Sequence, residues 1–93
     1  MITIVAKCKI KAGMAEEYKI AAKPLIEASQ KEAGCIAYNL YEDIADPNVF
    51  AFIEHWEDQA AIDAHNNSEH VKQIVPRLRT FREESEINLY QKV

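Results

Sequence analysis

The sequence predicts an α+β fold of ferredoxin-like β-α-β-β-α-β order, in which a four-stranded antiparallel sheet carries its helices on one face. Three observations predict this fold. Four segments alternate apolar and polar side chains with the period of a strand. Other stretches repeat apolar residues at helical spacing. No Gly- or Pro-rich linker separates these segments along 93 residues, so we expect one domain covering residues 1–93.

A strand followed by a helix is predicted for the first third of the chain. Ile2 to Lys11 alternates, and Gly13 follows it as a turn. From Met14 to Glu32 the period becomes helical, although Pro24 lacks a backbone donor and predicts a kink or weak point there. Gly34 is the expected end signal of the helix. The predicted apolar stripe of this helix consists of Met14, Tyr18, Ala22, Leu25 and Ser29.

The next two strands are predicted to form a hairpin. They run from Cys35 to Glu42 and from Val49 to Glu57, and the residues Asp46-Pro47-Asn48 between them are typical of a turn. Alternation assigns one face of the hairpin to Ile36, Tyr38, Leu40, Phe50, Phe52, Glu54 and Trp56. The opposite face is then formed by Cys35, Ala37, Asn39, Tyr41, Val49, Ala51, Ile53 and His55.

The last third of the chain predicts two short helices and a final strand. Asp58 is a good N-cap for a helix that runs through His65, and Asn66-Asn67 interrupts it. Ser68 can cap the following helix, and alternation from Glu86 to Val93 predicts the fourth strand. The apolar stripe of the last helix consists of Val71, Ile74, Val75, Leu78 and Phe81.

Both faces of the predicted hairpin are rich in apolar side chains, whereas a sheet with helices on one side normally has a polar second face. Large exposed apolar patches mark interfaces. A second copy of the same sheet could cover this face, and twofold dimers are the most frequent oligomers. We therefore expect a homodimer.

Composition excludes several classes of partner. The net charge of −4 argues against nucleic acid, since such binders need a basic surface. No apolar run reaches membrane-spanning length, and the chain begins with strand-like residues rather than a signal peptide, so we expect a cytoplasmic protein without a membrane partner. Cys8 and Cys35 form neither a disulfide framework nor a metal motif.

Several short motifs resemble those of the antibiotic biosynthesis monooxygenase family. They are Phe52-Ile53-Glu54-His55-Trp56-Glu57-Asp58, then Ala64-His65 and Ser68-Glu69-His70, preceded by Lys11-Ala12-Gly13 and Glu32-Ala33-Gly34-Cys35-Ile36-Ala37-Tyr38. The resemblance implies a dimeric α+β barrel with a cavity between sheet and helices. It also implies oxygenation of phenols or quinols without metal or flavin. Haem degradation, found in other members, is not expected. His65 stands where those members have an aromatic residue, and Val75 or its neighbours stand where they have the axial histidine.

The first catalytic candidates are His65 and His70. Cofactor-free oxygenation needs a base that deprotonates a phenol, and the unperturbed pKa of histidine, roughly 6.5, suits that task. The five-residue separation across a helix break lets both imidazoles reach one cavity but does not require it. In a purely structural interpretation, one histidine caps the Asn66-Asn67 turn and the other faces solvent.

Five further residues are candidate substrate contacts. Trp56 and Phe52 could form an aromatic wall, although core packing is the simpler role. Glu54 is a carboxylate on an apolar strand face, so we expect either a hydrogen-bonded partner or a raised pKa. Tyr38 could place its hydroxyl in the cavity, and Arg77 could hold an anionic substrate or simply face solvent.

Three functions fit these observations. The first is a cofactor-independent monooxygenase that acts on a small aromatic or quinol-type substrate. The second is a non-oxidative enzyme on a small, possibly phosphorylated metabolite, which would need a cationic anchor such as Arg77 or Lys11. The third is a non-catalytic dimer that binds a small ligand as a sensor or stress protein.

Overall fold

The computed structural model describes all 93 residues and has the predicted α+β order, with the second helical region divided into two helices. No helix is both long and apolar enough to cross a membrane. The elements are β1 (Ile2–Ile10), α1 (Ala15–Gln30), β2 (Cys35–Glu42), β3 (Val49–Trp56), α2 (Gln59–Asn66), α3 (Glu69–Arg79) and β4 (Arg82–Gln91).

The four strands form one antiparallel sheet in the order β2-β3-β1-β4. Residues that lie opposite each other in an antiparallel pair share a face. On β3 the side chains of Phe50, Phe52, Glu54 and Trp56 are buried beneath the helices, whereas the alternate residues from Val49 to His55 are half-buried on the other face. The strand therefore has the two faces that alternation predicts, and the second one is open because helices cover only the first.

A β-bulge changes the predicted face of one residue in β2. Cys35 lies opposite Trp56 and Tyr38 lies opposite Glu54, so the register shifts at Ile36 between them. Ile36 was predicted beside Tyr38 on the buried face, but its side chain is 54% exposed, and this prediction is wrong. The extra residue of a bulge leaves the alternation, and Cys35 takes the place beside Trp56.

Helix α1 runs without a break through Pro24, where we predicted a weak point. Pro24 is exposed on the solvent side, while Ala22 and Leu25 next to it are fully buried on the sheet. The cost of the backbone hydrogen bond lost at Pro24 is therefore offset by packing of the opposite helix face. The predicted apolar stripe is confirmed by the burial of Tyr18, Ala22, Leu25 and Ser29.

Helices α2 and α3 begin at the two predicted caps. The Asp58 side chain accepts a hydrogen bond from the backbone N–H of Ala61, and the Ser68 hydroxyl accepts one from Val71. Ser68 Oγ also donates to the carbonyl oxygen of His65 at 2.6 Å. This contact joins the end of α2 to the start of α3 and brings their histidines together.

Strand β4 begins at Arg82, four residues before the predicted start at Glu86. Its first residues are charged, so they show no apolar alternation. Two of them pair with lysines on β1: Glu84 lies opposite Lys9, and Glu86 lies opposite Lys7. Such cross-strand pairs support a strand without apolar burial, and charge is common on an edge strand.

Candidate functional site

A cavity of about 500 Å³ lies between the helix-covered face of the sheet and the helices. Most of its lining is apolar. Polar groups enter at two places, one near Glu54 and His65 and one near Arg79 and Arg82. A second hollow of about 490 Å³ near Lys9 has only two hydrophobic residues among its eight and contains none of the predicted site residues, so the first cavity is the candidate site.

His65 forms part of the cavity wall and is almost completely buried. It lies in the last turn of α2, where the imidazole packs against two aromatic residues of the sheet. Its ring centroid is 4.6 Å from that of Trp56 and 5.4 Å from that of Tyr38. The sheet and helix therefore hold the imidazole between aromatic rings inside the cavity.

Glu32 joins both predicted histidines, and we did not predict it as a site residue. Its Oε2 lies 2.6 Å from Nδ1 of His65 and 3.0 Å from Nε2 of His70. Glu32 lies in the turn after α1, His65 in α2 and His70 in α3, so three separate segments meet at this carboxylate. Its place in the Glu32-Ala33-Gly34-Cys35 motif was the available signal in the sequence.

The carboxylate determines which nitrogen of His65 carries the proton. An ionised carboxylate only accepts hydrogen bonds, so Nδ1–H of His65 donates to Glu32. The other nitrogen, Nε2, has no hydrogen-bond partner within the chain, and its ring lines the cavity. A neutral His65 thus keeps Nε2 as an acceptor without a partner on a residue of the cavity wall, while Glu32 holds the ring in place.

His70 lies on the outer side of the same carboxylate and does not line the cavity. Its Nε2 also approaches Ser68 Oγ at 3.3 Å. The structure therefore brings the two predicted histidines to one carboxylate but places only His65 against the cavity.

Two imidazoles and a carboxylate are also a familiar set of metal ligands. Their donor atoms in Glu32, His65 and His70 all lie within 4.8 Å of one another. Tetrahedral zinc, with bonds near 2.1 Å, keeps its ligand atoms about 3.4 Å apart. The observed separations of 2.6 and 3.0 Å are shorter and match hydrogen bonds. The arrangement is that of a hydrogen-bonded triad.

Glu54 lies on the buried face of β3 and lines the cavity. Burial raises the pKa of its carboxyl from 4.5 to about 7; the hydrogen bond from Trp56 lowers it in part, and the charge of Glu32 raises it further. Trp56 Nε1 donates to Glu54 Oε1 at 3.0 Å. Glu54 therefore has the predicted polar partner and also a proton available near neutrality.

Tyr38 and Phe52 complete the aromatic part of the wall, where their ring centroids lie 5.5 Å apart. Tyr38 is only 3% exposed. Burial, with a smaller contribution from the charge of Glu54, raises the pKa of its phenol. Tyr38 thus remains a neutral hydroxyl at physiological pH. Trp56 is fully buried and reaches the site through its contacts with His65 and Glu54.

Arg77, the predicted anionic anchor, does not line the cavity. Its guanidinium lies over the ring of Phe81, 5.9 Å from the centroid. Arg79 and Arg82 line the cavity instead. Spacing in the sequence gave no basis for choosing among these three arginines, because the choice depends on where α3 ends and β4 begins.

Residues 1–77 match the model of the family described as "Antibiotic biosynthesis monooxygenase". Among relatives, "Putative monooxygenase YcnE" of Bacillus subtilis is 34% identical over 77 residues, or 83% of this chain and 81% of its own length. The uncharacterized protein sll1783 of Synechocystis is 34% identical over 76 residues, or 82% of this chain. The match covers about half, 52%, of sll1783.

Solved structures have the same fold. A conserved protein from Methanosarcina mazei superposes with a TM-score of 0.95 at 38% identity, covering 99% of this chain and 92% of its own. A crystal structure named as an antibiotic biosynthesis monooxygenase superposes with a TM-score of 0.93 at 32% identity, covering 100% and 99%.

Proposed function

The chain belongs to the antibiotic biosynthesis monooxygenase family, and we propose that it oxidises a small phenol or quinol with O2, using His65 as base and neither metal nor flavin. One observation carries the proposal. Glu32 accepts the Nδ1 proton of His65 at 2.6 Å and leaves Nε2 as the free nitrogen of a ring in the cavity wall. A base oriented by a carboxylate in this way is poised to take a proton from a substrate hydroxyl.

The proposed reaction starts with removal of a phenolic proton by His65. The phenolate passes one electron to O2, and the phenoxyl and superoxide radicals combine to form a C–O bond at a ring carbon bearing hydrogen. Cleavage of the O–O bond, with loss of that hydrogen as a proton, leaves a carbonyl on the ring and releases water. A quinol and O2 thus become a hydroxyquinone and water, and no external reductant is needed.

The remaining wall residues have supporting roles in this proposal. Glu54, whose pKa is about 7, can supply a proton to the departing hydroxide. Tyr38 offers a neutral hydroxyl that can hold a substrate oxygen. Phe52 provides aromatic contact in the cavity wall, and Trp56, which lies behind the wall, supports His65 and Glu54. His70 and Glu32 position His65 rather than contact the substrate.

The proposal includes a homodimer formed through the open face of the sheet. That face carries half-buried apolar residues of β3, among them Ala51 and Ile53, flanked by the half-exposed rings of Tyr41 and Tyr90. Face-to-face packing of two such sheets would bury these groups. Sedimentation equilibrium of the purified protein measures the association state directly.

Oxygen consumption by the purified protein tests the reaction, using a panel of hydroquinones and polyphenols corrected for autoxidation. We expect uptake above the uncatalysed rate and a loss of roughly 100-fold or more in His65→Ala. Glu32→Gln should lose roughly tenfold or more, because the ring loses its orientation. His55→Gln is the matched control: His55 lies on the open face, hydrogen-bonded to Thr3 at 2.9 Å. Full activity in His65→Ala would disprove the assigned base.

A chelator separates this reaction from a metal-dependent one at the same triad. Under the proposal, protein dialysed against EDTA keeps its full rate, and added zinc or iron(II) does not raise it. A rate that disappears on dialysis and returns with one of these ions would instead assign Glu32, His65 and His70 as metal ligands.

A further inference from the structure

We infer that the substrate carries an acidic substituent, a carboxylate or a phosphate, which binds Arg82 and Arg79 at the end of the cavity away from His65. The identity of the oxidised ring rests on the proposed function. The anion-binding end rests on separate residues and can be tested without turnover. It narrows the substrate class from any small quinol to an acidic one.

Arg82 is the first residue of β4 and is partly buried at the cavity wall. It lies opposite Ile10 on β1, two residues from Cys8, whose Sγ is hydrogen-bonded to Tyr18 Oη at 3.3 Å. Burial raises the pKa of Cys8 and of Tyr18, and the charge of Arg82 opposes that rise. Arg82 therefore belongs to the end of the cavity lined by Cys8 and Tyr18, away from Glu54.

Neither cavity arginine has an acidic partner within the chain. Every ion pair in the structure involves Lys19 or Glu32, and no side-chain hydrogen bond uses Arg79 or Arg82. Arg79 is exposed, but Arg82 is partly buried, and a partly buried guanidinium without a partner is unusual because burial of an unpaired charge is costly. An anionic ligand group would satisfy it.

One carboxylate does lie at this end of the cavity. Glu86 belongs to the lining, but it stands directly opposite Lys7 on β1, with both residues exposed. Lys7 also belongs to the lining and offsets that charge. The net charge of the lining at this end is therefore positive and comes from Arg79 and Arg82. A positive net charge favours an anion over a neutral or cationic group.

Strand register gives the length of ligand that would reach both ends. Ile4 lies opposite Glu54, and Ile10 lies opposite Arg82. Six residues of β1 separate these positions, or about 20 Å at 3.3 Å per residue. The side chains at both ends project into the cavity and shorten that gap, so a phenolic ring with an acid on a short chain is the smallest ligand that would span it. A guanidinium group can also donate two parallel hydrogen bonds to two oxygens of a carboxylate or phosphate.

Ligand binding can be followed by the fluorescence of Trp56, the only tryptophan, which lies against His65. The probes are para-hydroxyphenylpropanoate, its uncharged amide, and para-hydroxyphenylethyl phosphate. We expect both acids to bind roughly tenfold or more tightly than the amide. The acid that binds more tightly shows whether the site prefers a carboxylate or a phosphate. Added salt should reduce this preference.

Variants then locate the anion site. Arg82→Gln should remove the preference for acids while amide binding stays unchanged, and Arg82→Lys should restore part of it. Arg77→Gln, which removes an equal charge over Phe81 outside the cavity, should keep the full preference. Equal binding of acid and amide by the wild type, or a preference that survives in Arg82→Gln or disappears in Arg77→Gln, would overturn the inference.

Oxygen uptake distinguishes a failure of this inference from a failure of the proposed function. Acid preference without any uptake from acidic or neutral quinols would refute the oxygenase and retain the anion site. Uptake from neutral quinols with no gain for their carboxylated analogues would retain the oxygenase and refute the anion site.

Discussion

Glu54 places an ionisable group on the buried face of β3, next to Phe52 and Trp56, and its side chain makes folding stability depend on pH. Its pKa rises from 4.5 to about 7 on folding, mainly through burial. Between these values the folded chain holds a proton that the unfolded chain has released. The free energy of unfolding must therefore fall as pH rises through this interval, and it stays low above it.

The magnitude follows from the same two values. Each tenfold change in proton affinity corresponds to 1.36 kcal/mol, so the rise from 4.5 to about 7 gives a loss of about 3 kcal/mol as an upper bound. Glu54→Gln removes the titration but keeps an oxygen that can accept the hydrogen bond from Trp56. This variant should therefore gain stability relative to wild type as the pH rises.

Urea unfolding followed by circular dichroism, from about pH 4 to about pH 8, measures this difference. The stability gap between Glu54→Gln and wild type should grow toward high pH. Trp56→Phe serves as a second variant: it removes the hydrogen bond that lowers the pKa of Glu54, so the loss of stability should move to higher pH. A gap that stays constant across this range would refute a buried, raised-pKa carboxyl at Glu54.

Three further predictions follow from the geometry. Gly34→Ala should destabilise the fold by about 2 kcal/mol or more in urea unfolding, because φ is +82° and the new Cβ would lie 2.6 Å from Cβ of Ala61. Gly13→Ala has a similar φ of +81° but no atom within 4 Å of the new Cβ, so it should cost only about 1 kcal/mol. Equal losses would contradict the steric argument. Ile53→Asp on the open face should shift sedimentation toward monomer, whereas Ile20→Asp, 73% exposed on α1, should not. Oxygenase activity of Glu54→Gln should fall roughly tenfold or more, since an amide cannot donate the proton; an unchanged rate would assign the proton to another group.

The local elements could be predicted because each depends on neighbouring residues. Alternation alone identified β3, and the Asp58 and Ser68 side chains cap the helices that they were predicted to cap. Two features were missed because they depend on contacts with other strands. The bulge at Ile36 depends on register with the next strand, and the charged start of β4 depends on lysines of β1.

The candidate site was predicted only in part, because its contacts join distant segments. His65 and Trp56 were chosen as residue types suited to a base and an aromatic wall, and the fold packs them 4.6 Å apart. Glu32 lies 33 residues before His65, so nothing in the spacing required their hydrogen bond. Arg82 rather than Arg77 lines the cavity, because α3 ends and β4 begins between these two residues and the chain changes direction there.

The sequence by itself determined the order of elements, the two faces of β3 and the two helix caps, since these follow from periodicity and local hydrogen bonding. Tertiary structure alone decided which carboxylate orients His65, that Glu54 has a raised pKa, and which arginines line the cavity. Those properties depend on distances and burial between segments that meet only after folding. A one-dimensional pattern does not contain these distances.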